Sequence, residues 1–216
     1  MKLTVKKFTF NPFQENTYIV YGPNLDAVII DPGCSNVQEQ RALSEFVSSK
    51  GLSIKALLNT HCHIDHVYGN DFVLRSYKVD FYMHENELPV LKAAERSAQV
   101  YGLKDFVPSP PPSHFLKDND ELIFGDVRFK VIFGPGHAPG HVAFYVEEDQ
   151  FIISGDILFK GSFGRVDLPG GSIDILKHTL TKRIFTLPNE TIVYSGHGPE
   201  TTIESEKYTN PILDYE

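Results

Sequence analysis

The sequence predicts an α/β protein built from two β-sheets that pack together and are covered by helices on the outside. Two observations carry this prediction: strand-like runs with interspersed helical patterns fill the chain, and each half runs strands first and then helix. The length of 216 residues is enough to bury a sizeable core. At about 150 residues per domain the chain is one large domain or two small ones, and we expect a single domain over residues 1–216.

The composition indicates an ordered, acidic globular protein. Hydrophobic residues make up 41% and charged residues 22% of the chain, which are the usual proportions of folded domains. Lys and Arg number 20 against 28 Asp and Glu, so the net charge is −8, which argues against nucleic-acid binding. The N-terminus lacks the apolar stretch of a signal peptide, and no run is long enough to span a bilayer. We therefore expect a cytoplasmic protein that binds neither nucleic acid nor membrane.

The first third of the chain combines strands with one capped helix. The segment Ser35–Gln38 has the form of a capping box and predicts the start of a helix that ends at Gly51. Leu43, Phe46 and Val47 would lie on the buried face of that helix. Apolar runs bounded by turn residues predict strands at Lys2–Phe10, Asn16–Tyr21, Ala27–Ile30 and Ile54–Leu58.

The remaining chain continues with helices and then with strands. Helical patterns cover Asn70–Tyr77 and Glu87–Tyr101, and the proline-rich segment Ser109–Ser113 predicts an extended surface loop rather than a domain linker. A glycine-rich loop, Gly161–Ser172, precedes a helix that begins near Ile173, and a short helical segment closes the chain. Strands are predicted at Phe81–Met83, Glu121–Phe124, Val127–Phe133, Val142–Val146, Phe151–Ile153 and Thr191–Tyr194.

The chemistry of the chain is concentrated in the segment His61–His66. Its sequence, HCHIDH, places four side chains that can bind metal within six positions. In an extended segment His61, His63 and Asp65 project to one side, and a turn after Asp65 would aim His66 at a neighbouring point. Cys62 alternates with the histidines, so we expect it to face away and to pack as a small buried residue.

Three further donors follow predicted strands, each with a glycine before it. They are His137, Asp156 and His197. Glycine permits tight backbone paths that aim the next side chain into a cleft. One such residue alone would be interpreted as a turn residue, but three such sites together with the first cluster favour a shared site. Spacing does not decide between His137 and His141, because both follow glycine.

The donor types predict a site for two metal ions. Imidazole and carboxylate donors without thiolate suit zinc, iron or manganese. Seven donors are too many for one closed structural zinc, which takes about four ligands with cysteine prominent. Cys34 and Cys62 match no zinc-knuckle or redox-pair spacing. Two metals that share a carboxylate and leave an open edge for water explain the pattern most economically.

These motifs resemble those of the metallo-β-lactamase-fold hydrolases, and within them the glyoxalase II-like (hydroxyacylglutathione hydrolase-like) thioester hydrolases. The resemblance implies a four-layer αββα sandwich with metals at one edge of the two sheets. It implies that His141 supports the site and that Asp156 bridges the two metals. The first metal would be held by His61, His63 and His137, and the second by Asp65, His66 and His197. The resemblance runs from about Asn16 to Pro211 through Thr60–His66, Gly136–His141, Ser154–Asp156 and Gly196–Thr201.

One departure bears on the substrate. Glyoxalase II proper has a helical C-terminal extension that helps to hold glutathione, whereas this chain ends about twenty residues after His197. It therefore resembles the short glyoxalase II-like group. Arg165 falls near the position where that family places a basic substrate-binding residue, although an ordinary surface arginine is the alternative.

The expected function is metal-dependent hydrolysis of a small acyl thioester, such as S-lactoylglutathione, with two Zn²⁺ per chain and iron or manganese as alternatives. A metal-bridging hydroxide, oriented by Asp65 as the catalytic residue, would attack the carbonyl carbon. A thiol of pKa about 8.5 leaves as thiolate without a proton donor. The rivals are an iron persulfide dioxygenase of the same fold, using His61, His137 and Asp156, and a non-catalytic metal-binding protein. The net charge disfavours a nuclease, and the missing export signal disfavours a β-lactamase.

Overall fold

The structure is a computed structural model that describes residues 2–215 and divides the chain into two compact units. Unit 1 comprises the described residues up to Leu116 together with Ile123–Arg128, and unit 2 comprises Lys117–Leu122 together with those from Phe129 onward. This division does not test the expectation of a single domain, which stays a prediction. Among the described residues, no helix combines the length and the apolar character that crossing a bilayer requires.

Unit 1 is built on a six-stranded sheet in which the strands lie in chain order. Neighbours β1, β2 and β3 are antiparallel, and β3 to β6 are parallel. The carboxyl ends of β1, β3 and β4 and the amino end of β2 therefore meet at one edge of the sheet. The strands are β1 (Thr4–Phe10), β2 (Glu15–Tyr21), β3 (Asp26–Ile30), β4 (Ser53–Leu58), β5 (Asp80–His84) and β6 (His114–Leu116).

Four helices pack against this sheet. Leu43 and Val47 of the first helix, with Leu91 of the fourth, are buried in the same cluster as the sheet residues Ile29 and Leu57. Each buried side chain of this kind contributes roughly 1.5–3 kcal/mol. The expected inner face of the first helix is thus confirmed. The helices are α1 (Val37–Lys50), α2 (Ile64–Val67), α3 (Asn70–Tyr77) and α4 (Leu88–Tyr101), the last preceded by a single 3₁₀ turn at Glu85–Glu87.

The start of α1 corrects the predicted capping box by one residue. Asn36 is the N-cap, and its side chain accepts a hydrogen bond from the Glu39 backbone N–H at 3.0 Å. The Glu39 carboxylate reaches back to the Ser35 N–H at 2.6 Å. A carboxylate accepts this bond more strongly than the Gln38 amide would, and its charge suits the helix N-terminus. Gly51 ends the helix in the left-handed region at φ 65°, as predicted.

Unit 2 contains the second six-stranded sheet, apart from residues 123–128, in the order β14-β13-β10-β9-β8-β7. Strand β9 is antiparallel to both β8 and β10, and β13 is parallel to β10. The carboxyl ends of β8, β10 and β13 therefore share one edge. The strands are β7 (Glu121–Phe124), β8 (Val127–Phe133), β9 (Val142–Val146), β10 (Phe151–Gly155), β13 (Ile192–Ser195) and β14 (Thr201–Thr202), with a separate hairpin of β11 (Leu158–Phe159) and β12 (Ser162–Phe163).

Two helices complete unit 2. Helix α5 (Ile173–Thr179) continues into one π-helical turn at Leu180–Ile184, and α6 (Ile203–Glu206) precedes a 3₁₀ turn at Pro211–Asp214. Leu176 of α5 is buried in a cluster with Ile152 and Val193 of the sheet. The predicted helix start near Ile173 is confirmed.

Both cysteines are buried free thiols. The Cys62 Sγ lies 3.5 Å from the Met83 Sδ in the core of unit 1. Burial raises the pKa of Cys62 and of Cys34 well above the usual thiol value. The expectation that Cys62 packs as a small buried residue is confirmed.

Candidate metal centre

The first donor cluster follows β4 in unit 1. Residues 61–63 have no regular secondary structure, His63 has an extended backbone, and α2 begins at Ile64. The chain therefore turns before Asp65, whereas the sequence had predicted a turn after it. Asp65 and His66 therefore both lie on the first turn of α2, where the helix itself aims them in neighbouring directions. The Asp65 Oδ2 lies 3.6 Å from the His66 Nε2. The ring centroid of His61 lies 4.8 Å from that of His63 and 4.1 Å from that of His66.

A buried carboxylate at the end of β3 supports this cluster. Asp31 accepts hydrogen bonds from the Thr60 N–H at 2.7 Å, from the Thr60 hydroxyl at 2.6 Å and from the Asn59 amide at 3.1 Å. Its Oδ2 lies 3.1 Å from the His66 Nδ1. Because a carboxylate only accepts, we assign the proton to Nδ1, which leaves the His66 Nε2 as a lone-pair donor toward Asp65.

Asp31 begins the segment Asp31-Pro32-Gly33, which has the sequence of a turn and gives no sign of this role. Ligand atoms of Asp31, His61 and His66 lie within 4.8 Å of one another, so the three could hold an ion by distance alone. The four hydrogen-bond donors on the Asp31 oxygens favour a supporting role instead. The signal that could have found Asp31 is its position at the carboxyl end of a buried strand parallel to β4.

Glu15, the first residue of β2, and Asn11, in the turn between β1 and β2, contact the same donor cluster. The Glu15 carboxyl is fully buried, with Oε1 4.0 Å from the His66 Nδ1 and Oε2 accepting from the Thr17 hydroxyl at 2.9 Å. Burial raises the pKa of Glu15 well above its usual value. The Asn11 amide donates to the Asp65 carbonyl at 3.0 Å, which fixes the start of α2.

The loop between the first two histidines has its own support. The buried Glu87 carboxylate accepts the Cys62 N–H at 2.8 Å. The bond fixes the backbone between His61 and His63. Glu87 lies in the 3₁₀ turn before α4, 25 residues after Cys62. The sequence alone therefore gave no sign of this contact.

The second donor cluster lies at the shared strand edge of unit 2. His137 follows β8, Asp156 follows β10 and His197 follows β13, as predicted. The Asp156 Oδ2 lies 3.6 Å from the His137 Nε2 and 3.6 Å from the His197 Nε2. Two ligands with bonds of about 2.1 Å to one tetrahedral metal lie roughly 3.4 Å apart, so both separations fit shared coordination. One oxygen thus stands between two imidazoles.

The backbone around this cluster fixes the direction of each donor. The Arg165 carbonyl oxygen lies 2.7 Å from the His137 Nδ1, so the proton sits on Nδ1 and Nε2 faces Asp156. A Cβ atom at Gly164 would overlap the Asp156 carbonyl oxygen and lie 2.8 Å from the His137 Nδ1, so only glycine fits there. The His141 Nε2 accepts the Asp156 N–H at 3.0 Å. This bond gives His141 a supporting position.

Arg165 itself lies at the surface of unit 2. Its Nε and Nη2 donate to the two carboxylate oxygens of Asp167 at 2.7 and 2.6 Å. These bonds lower the pKa of Asp167 to about 2. The sequence indicated the arginine but missed Asp167, which orients it.

Nitrogen and oxygen donors of this kind fit zinc, iron or manganese in both units. In each cluster an imidazole with an anchored Nδ1 turns Nε2 toward a carboxylate. Outer hydrogen bonds of this type are the usual companions of metal-binding histidines. The donors are His61, His63, Asp65 and His66 in unit 1 and His137, Asp156 and His197 in unit 2.

Comparison with known proteins identifies the family. Residues 10–197 match the family described as "Metallo-beta-lactamase superfamily". The chain is 35% identical over 211 residues to a "Probable metallo-hydrolase YqgX" of Bacillus subtilis, with 97% of each sequence covered. It is 31% identical to the "Hydroxyacylglutathione hydrolase GloC" of Haemophilus influenzae, with 94% of each covered. The chain belongs to the metallo-beta-lactamase superfamily and is a metal-dependent hydrolase of that superfamily.

Solved structures confirm the predicted fold class. A structure described as "BLEG-1 B3 metallo-beta-lactamase" has a TM-score of 0.89 and 36% identity, covering 98% of this chain and all of the other. A structure of "TTHA1623 in a di-iron-bound form" has a TM-score of 0.87 and 40% identity, covering 97% of this chain and all of the other. The metallo-β-lactamase fold is therefore the fold of this chain.

Replacing Asp31 with Asn should weaken metal binding by about 10–100-fold, the usual cost of losing a hydrogen-bonding partner behind a metal ligand. The reason is that each Asp31 oxygen accepts from two donors, so an amide NH₂ would face two of them. Competition with a chelator measures the change. Asp71→Asn is the matched control, because Asp71 forms an ion pair with the exposed Arg75 and is neither a proposed ligand nor one of the supports described above. Equal metal affinity in both variants would contradict the assigned role of Asp31.

Proposed function

We propose that the protein is a binuclear thioester hydrolase whose seven predicted donors hold two metal ions. The observation that carries the proposal is the position of the Asp156 Oδ2, 3.6 Å from the Nε2 atoms of both His137 and His197. A bridging carboxylate needs one oxygen donor flanked by a ligand of each metal. The first metal would then be held by His61, His63 and His137, the second by Asp65, His66 and His197, with Asp156 shared.

The roles of the side chains follow from their supports. When bound, a metal pair lowers the pKa of water to about 7 and polarises a carbonyl oxygen. Asp65 lies on the first turn of α2, where it would orient the attacking water and accept its proton on the carboxylate. Asp31 holds the neighbouring His66 ring, and the Arg165 carbonyl holds the His137 ring, so the donors need no rearrangement during reaction.

Two considerations favour a thioester as the substrate. A thiol of pKa about 8.5 departs as thiolate without protonation, whereas an amine needs a proton donor. The similarity to GloC, a hydroxyacylglutathione hydrolase by description, supports the same substrate class. The proposal includes a cytoplasmic location, two Zn²⁺ per chain and a small-molecule thioester substrate, with neither nucleic acid nor membrane as a partner.

Elemental analysis of mildly purified protein should give about two transition-metal ions per chain, because the donors divide three and three around Asp156. Hydrolysis should be measured in parallel with S-lactoylglutathione, a neutral acyl thioester and a chromogenic cephalosporin. We expect thioester cleavage well above cephalosporin cleavage. One iron with no zinc would favour the dioxygenase instead, and cephalosporin as the preferred substrate would favour a β-lactamase. No transition metal at all would contradict any metal-dependent reaction.

Replacing Asp65 with Asn should lower kcat by at least ~10²-fold, the usual range for loss of a positioned proton acceptor. The change is nearly isosteric at the start of α2, so the melting temperature should stay close to that of the parent. Metal content must be measured alongside kcat, because Asp65 is also a proposed ligand. A variant that hydrolyses thioesters at the parental rate would remove Asp65 from the mechanism.

Replacing Arg165 with Ala should raise KM for S-lactoylglutathione with kcat nearly unchanged, which marks the loss of uniform substrate binding. A guanidinium suits a carboxylate such as those of glutathione. A neutral thioester should be indifferent to the change. Asp167→Asn is the matched control, because it removes the partner of Arg165 but keeps the guanidinium. Equal effects of both variants on both substrates would show that the pair is structural.

A further inference from the structure

The C-terminal segment, residues 201–215, is hydrogen-bonded to the β11–β12 hairpin. Residues in that hairpin and directly after it contact His137, Asp156 and His197. We propose that Glu206 and Asn210 in this segment are positioning residues for the metal centre. The proposal rests on the proposed function for the assignment of His137, Asp156 and His197 as ligands. It goes beyond that function because the two side chains are bonded to the hairpin, to Thr201 and to each other, and are not among the proposed ligands.

The Glu206 side chain accepts hydrogen bonds from the turn of the hairpin. Its side chain is almost fully buried, and its two carboxylate oxygens accept the Gly161 N–H at 3.1 and 3.0 Å. Oε1 also accepts from the Thr201 hydroxyl at 2.7 Å, and Oε2 accepts from the Asn210 amide at 2.8 Å. A buried carboxylate is costly unless such donors surround it, so the arrangement fixes Gly161 strongly.

The Asn210 side chain donates a hydrogen bond to the second strand of the hairpin. Its amide donates to the Ser162 carbonyl at 2.9 Å as well as to Glu206. Its Oδ1 accepts the Ile212 N–H at 3.1 Å, which starts the following 3₁₀ turn and fixes the orientation of the amide. At the end of the segment, the Tyr215 ring meets the Phe163 ring edge to face at 5.5 Å. Three successive hairpin residues are thus held from one side.

The held residues lead directly to the donors. Gly164 and Arg165 follow β12, and the Arg165 carbonyl orients the His137 ring through the 2.7 Å bond to Nδ1. Gly164 lies against both the Asp156 carbonyl oxygen and the His137 ring. A shift of the hairpin would therefore move the acceptor that sets the direction of the His137 Nε2.

The first strand of the hairpin reaches the third donor. The Phe159 ring contacts the His197 ring edge-on at 5.9 Å. The neighbouring Leu158 carbonyl accepts from the Ser195 hydroxyl at 2.7 Å, two residues before His197. The hairpin thus connects the C-terminal segment with His137, Asp156 and His197 within one unit.

A purely structural role of the segment predicts a different result. Ile203 and Ile212 are core residues of unit 2, so the segment also stabilises the fold. Loss of stability alone would lower the melting temperature but leave the ligand geometry of the folded protein unchanged. Loss of positioning weakens metal binding and alters the ligand field in protein that is still folded.

The test uses Co²⁺ alone as the probe, bound to the full chain. Its dissociation constant is measured by chelator competition, its visible absorption spectrum is recorded, and the melting temperature of the metal-free protein is measured in parallel. Glu206→Ala should weaken Co²⁺ binding by about 10–100-fold and shift the visible bands. Glu206→Gln should recover part of the affinity, because its carbonyl can still accept the Gly161 N–H. Glu204→Gln is the matched control, since Glu204 is exposed on the same helix.

If Glu206→Ala does not fold, Asn210→Ala and Tyr215→Ala replace it, because each removes one contact of the hairpin and Tyr215 is half-exposed. Parental Co²⁺ affinity and spectrum in the folded variants would overturn the proposal, whatever the melting temperature. A parent chain that binds no Co²⁺ would overturn both the ligand assignment and this inference. A parent that binds Co²⁺ but cleaves no thioester, with Glu206→Ala weakened, would contradict the substrate class and support the positioning role.

Discussion

The candidate centre depends on one interaction: the hydrogen bond that a metal-binding imidazole donates from its second ring nitrogen, which fixes its tautomer and its orientation. His66 donates this bond to Asp31, and His137 donates it to the Arg165 carbonyl. Each acceptor is an oxygen, so the ring proton is fixed on Nδ1 and the lone pair on Nε2. The supporting oxygens must themselves be rigid, which places them at the ends of buried strands or in clamped loops.

This interaction explains why the fold takes its form around the donors. In unit 1 the carboxyl ends of β3 and β4 and the amino end of β2 deliver Asp31, the histidine segment and Glu15 to one edge. In unit 2 the carboxyl ends of β8, β10 and β13 deliver one donor each. Strand direction thus sets the location of the donors, and short loops set their aim. The donors are packed so closely that a side chain at Gly164 would overlap the Asp156 carbonyl oxygen.

The donors could be predicted from the sequence because their signals are local. A dense run of histidines after a strand, and a donor after each glycine at a strand end, need no knowledge of the partners. The supports could not be predicted in this way. Asp31 has the sequence of a turn, while Glu87 and Glu206 each accept from one backbone N–H that lies 25 and 45 residues away in the chain. Sequence spacing does not encode such contacts.

The same distinction applies to the fold. Strands of four or more residues and the longer helices were predicted within a few residues of their observed bounds, because apolar periodicity is visible over that length. The strands β6, β11 and β12 contain only two or three residues and have no period to detect. The start of α1 differed by one residue, since Ser35 and Asn36 are both good caps and only the reach of Glu39 decides between them.

The proposal that matters most for the function is a binuclear metal centre in which the two metals share Asp156. Anomalous diffraction from crystals of the metal-loaded protein, recorded at the absorption edge of the bound metal, tests it most directly. We expect two peaks about 3.5–4 Å apart, with the Asp156 carboxylate in contact with both. A single peak, or two peaks of which only one touches Asp156, would contradict it.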